Sequence, residues 1–141
     1  MYLMQVLISG LMLGGIYAMV SMGLTMIFGV VRVINFAHGE FLMIAMYLVY
    51  WLNVLLGMDP YVSILITVPV FFVFGVFVQR ILIQPIQEAP ATIKIFSTLG
   101  LGLVLSNLAL MLWHADYRSV KVSYSTAVVN ISELSISVPR L

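Results

Sequence analysis

Residues 32–40 read "RVINFAHGE" and place Arg32, Asn35, His38 and Glu40 within nine positions of a chain that is otherwise mostly apolar. The chemistry open to such a set is metal binding or hydrolysis. His38 and Glu40 are a close pair of ligand types, but a zinc site takes three or four ligands. The other histidine, His114, lies several apolar runs away, and the chain has no cysteine. Hydrolysis fares no better, because the sequence contains no Gly-x-Ser-x-Gly elbow, no H-E-x-x-H and no phosphate-cradling glycine loop followed by lysine. Neither a catalytic role, nor a metal, nor a cofactor of the chain's own is expected.

The elements that must position these residues are set by composition. Of the 141 residues 63% are hydrophobic and 8% charged, and the mean hydropathy is +1.17. A soluble domain carries about 25% charged residues. A formal net charge of +1 gives no electrostatic basis for binding nucleic acid or acidic partners. The bilayer core is about 30 Å thick and takes about 20 helical residues to cross. Four apolar runs meet that requirement, with spans near 5–31, 41–58, 61–79 and 95–115. Each must be helical, because lipid offers the backbone no hydrogen-bond partner. The fold class is therefore an all-α, polytopic integral membrane protein with about four transmembrane helices over residues 1–115. The first run is longer than a crossing needs, so it is a tilted helix, carries an interfacial lead-in, or breaks near its glycines. It lacks a basic n-region and an A-x-A-like cleavage site, which makes it a retained anchor rather than a signal peptide.

Between the runs, "LLGMDPY" is a tight turn joining antiparallel helices. The segment "RILIQPIQEAPATIK", with two prolines, is an extra-membrane loop or lies on the lipid surface. Residues 116–141 are rich in Ser, Val and Thr and alternate over 134–138. They form a short irregular or β-like extra-membrane tail, placed on the periplasmic side. Basic residues divide evenly between the two faces, with Arg32, Arg80 and Lys94 against Arg118, Lys121 and Arg140. Those closest to span ends favour a cytoplasmic 80–94 side. Trp51 and Trp113 fall on the opposite face, where interfacial aromatics are expected.

Small residues recur every fourth position: Gly10, Gly14 and Ala18; Ser21, Thr25 and Gly29; Thr98, Gly102 and Ser106. Such rows let helix backbones approach closely. Tight helix packing is one reading, and a first span that lines a substrate passage is the other. For the polar cluster, an ordinary loop in which Asn35 caps the next helix stands beside a fixed turn that docks a cytoplasmic partner or gates the passage. A charge at a helix centre costs about 2.5–3.5 kcal/mol, which places Arg32 and Glu40 at the boundary or pairs them inside protein.

The stretch "SGLMLGGIYAMVSMGLTMIFG" running directly into "INFAHGE" resembles the N-terminal region of LivH-type permeases of branched-chain amino acid ABC transporters. The resemblance continues more loosely through "QRILIQPI" and "STLGLGLVLSN". The 80–94 loop departs from it in having only Arg80 and Lys94 as basic residues. The resemblance implies a multi-pass permease of a bacterial or archaeal inner membrane. Its partners would be a second permease subunit, cytoplasmic ATP-binding subunits that hydrolyse the ATP, a periplasmic solute-binding protein and membrane lipid. The implied solutes are branched-chain amino acids, or related small solutes such as urea and amides. It also implies that Gly14, Gly15, Gly23 and Gly29 border the central packing, and that Asn35, Phe36, Ala37, His38, Gly39 and Glu40 form a structural or coupling signature at the cytoplasmic end. Permeases of this type are about twice as long, so a truncated permease is expected, with residues 135–141, "SISVPRL", leading to a missing helix. A non-transporting membrane scaffold or assembly partner is the alternative.

Overall fold

The computed structural model describes residues 2–120, 128–131 and 134–137. Its helices are α1, Tyr2–Val31; α2, His38–Leu56; α3, Pro60–Val78; and α4, Ala91–Trp113. All four are long and apolar enough to cross a membrane. Their large apolar side chains point outward, as with Leu11 at 79% and Met111 at 77% exposure. Soluble proteins rarely show contiguous apolar surface on that scale, but lipid accepts it. The chain is an all-α, multi-pass membrane protein. In its tail, strands β1, Val128–Ile131, and β2, Leu134–Ser137, pair antiparallel with Val128 opposite Ser137. Of the expected lead into a further helix at 135–141, residues 135–137 belong to β2 and 138–141 lie outside the described residues.

The chain forms two compact units. One holds the chain up to Thr25 together with the hairpin, and the other runs from Met26 to Val120. Helix α1 has 30 residues, about 45 Å at 1.5 Å per residue. Its glycines do not break it, which leaves tilt or an interfacial lead-in to absorb the excess length.

Within the second unit, α2 packs against both α3 and α4. The α2–α3 turn is built from its own residues. Gly57 takes a left-handed φ of 63°, which glycine adopts without a Cβ penalty, and its amide donates to the Asn53 carbonyl at 2.9 Å. The Asn53 amide donates to the Met58 carbonyl at 2.9 Å. Asp59 caps α3 by accepting from the Tyr61 amide at 2.9 Å, with Pro60 opening the helix. At the far end of α3 the helix continues instead of becoming a loop. Gln79–Ile83 forms a π-helix, in which the Gln84 amide donates to the Gln79 carbonyl, and Gln84–Ile86 is a 3-10 turn. The distortion sits immediately before Pro85, which has no N–H to donate.

Two helix starts fall earlier than the charges suggest. Helix α2 begins at His38, so the end of the polar stretch is its first turn. Helix α4 begins at Ala91, directly behind Pro90, whose carbonyl accepts from the Ile93 and Lys94 amides at 3.0 and 3.3 Å. Lys94 therefore lies inside the helix, where a flexible stem lets its ammonium reach the polar boundary.

Candidate functional site

The solvent-free core gathers around the connection from α1 to α2. Val33, Asn35 and Ala37 are buried while Ile34 and Phe36 are exposed, along an irregular stretch that closes in a turn at 36–37. Irregular buried backbone needs partners for its polar groups. The Asn35 Oδ1 accepts from the Ala37 amide at 3.0 Å, and the Asn35 carbonyl accepts from the His38 amide at 3.3 Å. Asn35 thus holds the approach to α2 two residues ahead of the helix, whereas the residue at the cap position, Ala37, contributes no side-chain bond. Arg32, at a φ of 54°, turns the chain out of α1, its amide still donating to the Phe28 carbonyl at 2.9 Å.

Helix α4 receives this segment on its row of small residues. Thr98 is fully buried. Its hydroxyl has one proton to give, and lies 3.2 Å from the Ile34 carbonyl, 3.2 Å from that of Lys94 and 3.0 Å from that of Ile95. One helical turn on, a Cβ at Gly102 would sit 3.4 Å from the Glu40 carboxyl carbon and 3.6 Å from the Ala37 Cα. One turn further, the Ser106 hydroxyl donates to Glu40 Oε1 at 3.5 Å. Ile34, Ala37 and Glu40 are therefore brought together on Thr98, Gly102 and Ser106. His38 instead faces a cavity of about 320 Å³, lined by apolar residues of the α1 and α3 ends, with Asn35 and Gln79 as the other polar groups. Phe36 and Gly39 point away from the contact.

The first-span residues behave differently. A Cβ on Gly10, Gly14, Gly15 or Gly29 would meet no atom within 4 Å among the described residues. Ala18 is exposed and Gly23 half-exposed.

The opposite end of the second unit holds a group that sequence spacing did not single out. Tyr47 of α2 stacks on Trp113 of α4, ring centres 4.3 Å apart. Beyond α4 the chain turns at His114, with a φ of 58°. That turn carries the Arg118 guanidinium over Tyr50 and Trp51, at 5.6 and 5.5 Å from their ring centres. Arg118 Nη2 donates to the Trp113 carbonyl at 3.3 Å. The density of Tyr and Trp near two span ends was the available signal. It marks the membrane boundary, but does not reveal that a cation is stacked there.

Four helices long and apolar enough to cross a membrane, with one buried irregular connection held on small residues, define a polytopic integral membrane protein. The family described as "Branched-chain amino acid transport system / permease component" matches residues 6–137, and the chain belongs to that family. It is 29% identical to the high-affinity branched-chain amino acid transport system permease protein BraD of Pseudomonas aeruginosa, over 77% of this chain and 38% of that protein. It is 30% identical to the corresponding permease protein LivH of Escherichia coli K12, over 76% of this chain and 37% of the relative. The Salmonella typhimurium LivH protein is 29% identical over the same shares. The matched stretch is thus less than two fifths of these relatives' own length. No solved structure matches the chain.

Proposed function

We propose that this chain forms part of the membrane passage of an ATP-driven importer for branched-chain amino acids in a bacterial cell membrane. The observation that carries this reading is the family match over residues 6–137, which takes in all of the second unit. In this reading the chain supplies helices, not catalysis. ATP is hydrolysed by cytoplasmic partner subunits, a second permease completes the passage, and a periplasmic binding protein delivers the solute. The 32–40 and 80–94 segments share the cytoplasmic face, and residues 116–141 lie on the other. The signature Asn35–Glu40 holds the α1–α2 connection to α4 at that cytoplasmic end, and the glycines of α1, open among the described residues, border helices contributed from outside the chain.

The test is a chimera in which residues 6–137 replace the matching segment of the Escherichia coli permease, in cells lacking their own copy. ATP-dependent uptake of labelled leucine supports the reading. Uptake of urea or amides in place of leucine redirects the substrate. Correct insertion and co-purification with the partner subunits, without uptake of any of these solutes, favours a scaffold.

A further inference from the structure

The end of the second unit that carries Arg118 has a half-open hollow of about 430 Å³. That size lies within the range of roughly 300–1,000 Å³ typical of small-molecule sites. Its apolar wall comes from Met43 and Met46 of α2 and Leu110 of α4, and its charged rim from Asp116 and Arg118. Arg118 is held in place before any ligand arrives, by the faces of Tyr50 and Trp51 and by the Trp113 carbonyl. Its Nε is buried, with no hydrogen-bond partner among the described residues. Guanidinium is a rigid fork of five donors that matches a carboxylate bidentately; Nε is closed off by its burial, and the Nη1 edge is left for a ligand after Nη2 has donated to Trp113. Asp116 is exposed, and no ion pair ties it to Arg118 among the described residues.

We propose that this hollow is a binding site for an aliphatic α-amino acid in its zwitterionic form. The Arg118 guanidinium takes the carboxylate, Asp116 takes the ammonium, and Met43, Met46 and Leu110 take the side chain. Methionine suits that last task because its unbranched thioether repacks around leucine, isoleucine or valine. An anion alone would use Arg118 and leave Asp116 repelling it; a lipid tail would use the apolar wall and leave both charges idle. A ligand with both charges and a short apolar tail uses the cation, the anion and the apolar wall together. The choice of an amino acid rests on the transport reading above.

The chain's two tryptophans both adjoin Arg118, so intrinsic fluorescence of the full chain in lipid nanodiscs reports the site directly. L-Leucine is expected to give a saturable change. Leucine methyl ester, which lacks the carboxylate, and 4-methylpentanoate, which lacks the ammonium, should bind at least about tenfold more weakly. Arg118→Gln should weaken leucine by at least about tenfold at unchanged far-UV helicity. Because that change also alters the tryptophan surroundings, Asp116→Asn is the second variant, expected to weaken leucine while strengthening 4-methylpentanoate, which the carboxylate no longer repels. No saturable response to leucine, equal binding of the methyl ester, or full leucine affinity in Asp116→Asn overturns the site. Loss of binding beside a chimera that still imports leucine rejects the site and keeps the transport reading. Binding beside a transport-dead chimera does the reverse.

Discussion

The two ends of the second unit are built on opposite principles. At the signature end, side chains are small or turned to the backbone: Thr98 and Asn35 spend their polar atoms on carbonyl and amide groups, and Gly102 admits Glu40 by having no side chain. At the Arg118 end, large rings stack, a guanidinium lies across two of them, and donors are left unspent. Of the residues that resemble an active site in sequence, Asn35 and Glu40 make contacts with backbone and with small residues. The charges of the proposed ligand site come from the short stretch "HADYRS", which carries no motif. Polarity in a membrane chain is first a means of burying irregular backbone, and only what remains after that accounting is available for chemistry.

The contrast predicts where bulk is forbidden. Gly102→Leu forces a branched side chain into space already held by Glu40 and the Ala37 backbone. Overpacking of this kind costs about 1–3 kcal/mol, and backbone on one side leaves little room to relax. Thermal unfolding of the purified chain should fall by several degrees, with loss of yield. Gly14→Leu is the control: its Cβ meets nothing among the described residues, and leucine favours helix over glycine, so the isolated chain should lose no stability. A destabilised Gly14→Leu chain would show that α1's row is already packed within this chain. A Gly14→Leu defect confined to the assembled complex would place that row at an interface with another subunit.

How much of this was legible follows from sequence distance. The four spans were readable because lipid leaves an apolar run no alternative to helix. The turn at 57–60 was readable because glycine, aspartate and proline each do their local work there. The row Thr98, Gly102 and Ser106 was visible as spacing, but its partner was not. Thr98 and Ile34 are 64 positions apart, and nothing local links them. The placement of Arg118 over Tyr50 and Trp51 is equally nonlocal, since it depends on where α4 ends and how the chain turns at His114. The early starts of α2 and α4 were hidden by His38, Glu40 and Lys94, because charge was taken as a boundary. In the structure these side chains sit in first helical turns, where Glu40 is favoured by the helix dipole and Lys94 can extend outward.

A smaller loss is expected where a single bond holds the buried segment. In Asn35→Ala the Ala37 amide keeps its buried position and loses its acceptor. A buried donor left unpaired costs about 1–3 kcal/mol. Hydrogen exchange should show faster opening over residues 33–38 in the variant than in the parent, with α3 unaffected. Exchange unchanged at Ala37 would mean that the Asn35 side chain does not secure this segment.

The mildest change is the one that tests the comparison most directly. Glu40 is the acidic residue of the α2 first turn and its charge is the obvious candidate for chemistry at this end. Glu40→Gln keeps the shape over Gly102 and keeps an oxygen to accept from Ser106, a contact that at 3.5 Å is long and weak. What disappears is the favourable interaction of a carboxylate with a helix N-terminus, about 0.3–1 kcal/mol near a surface. Against this, an amide is easier than a carboxylate to remove from water. The two effects oppose each other, so the unfolding midpoint should move by no more than a few degrees, and the chimera should retain nearly all of its leucine uptake. Uptake lost at unchanged protein level and unchanged stability would mean that the charge itself works during transport. The signature end would then join the Arg118 end as a place where a charge is kept for something other than packing.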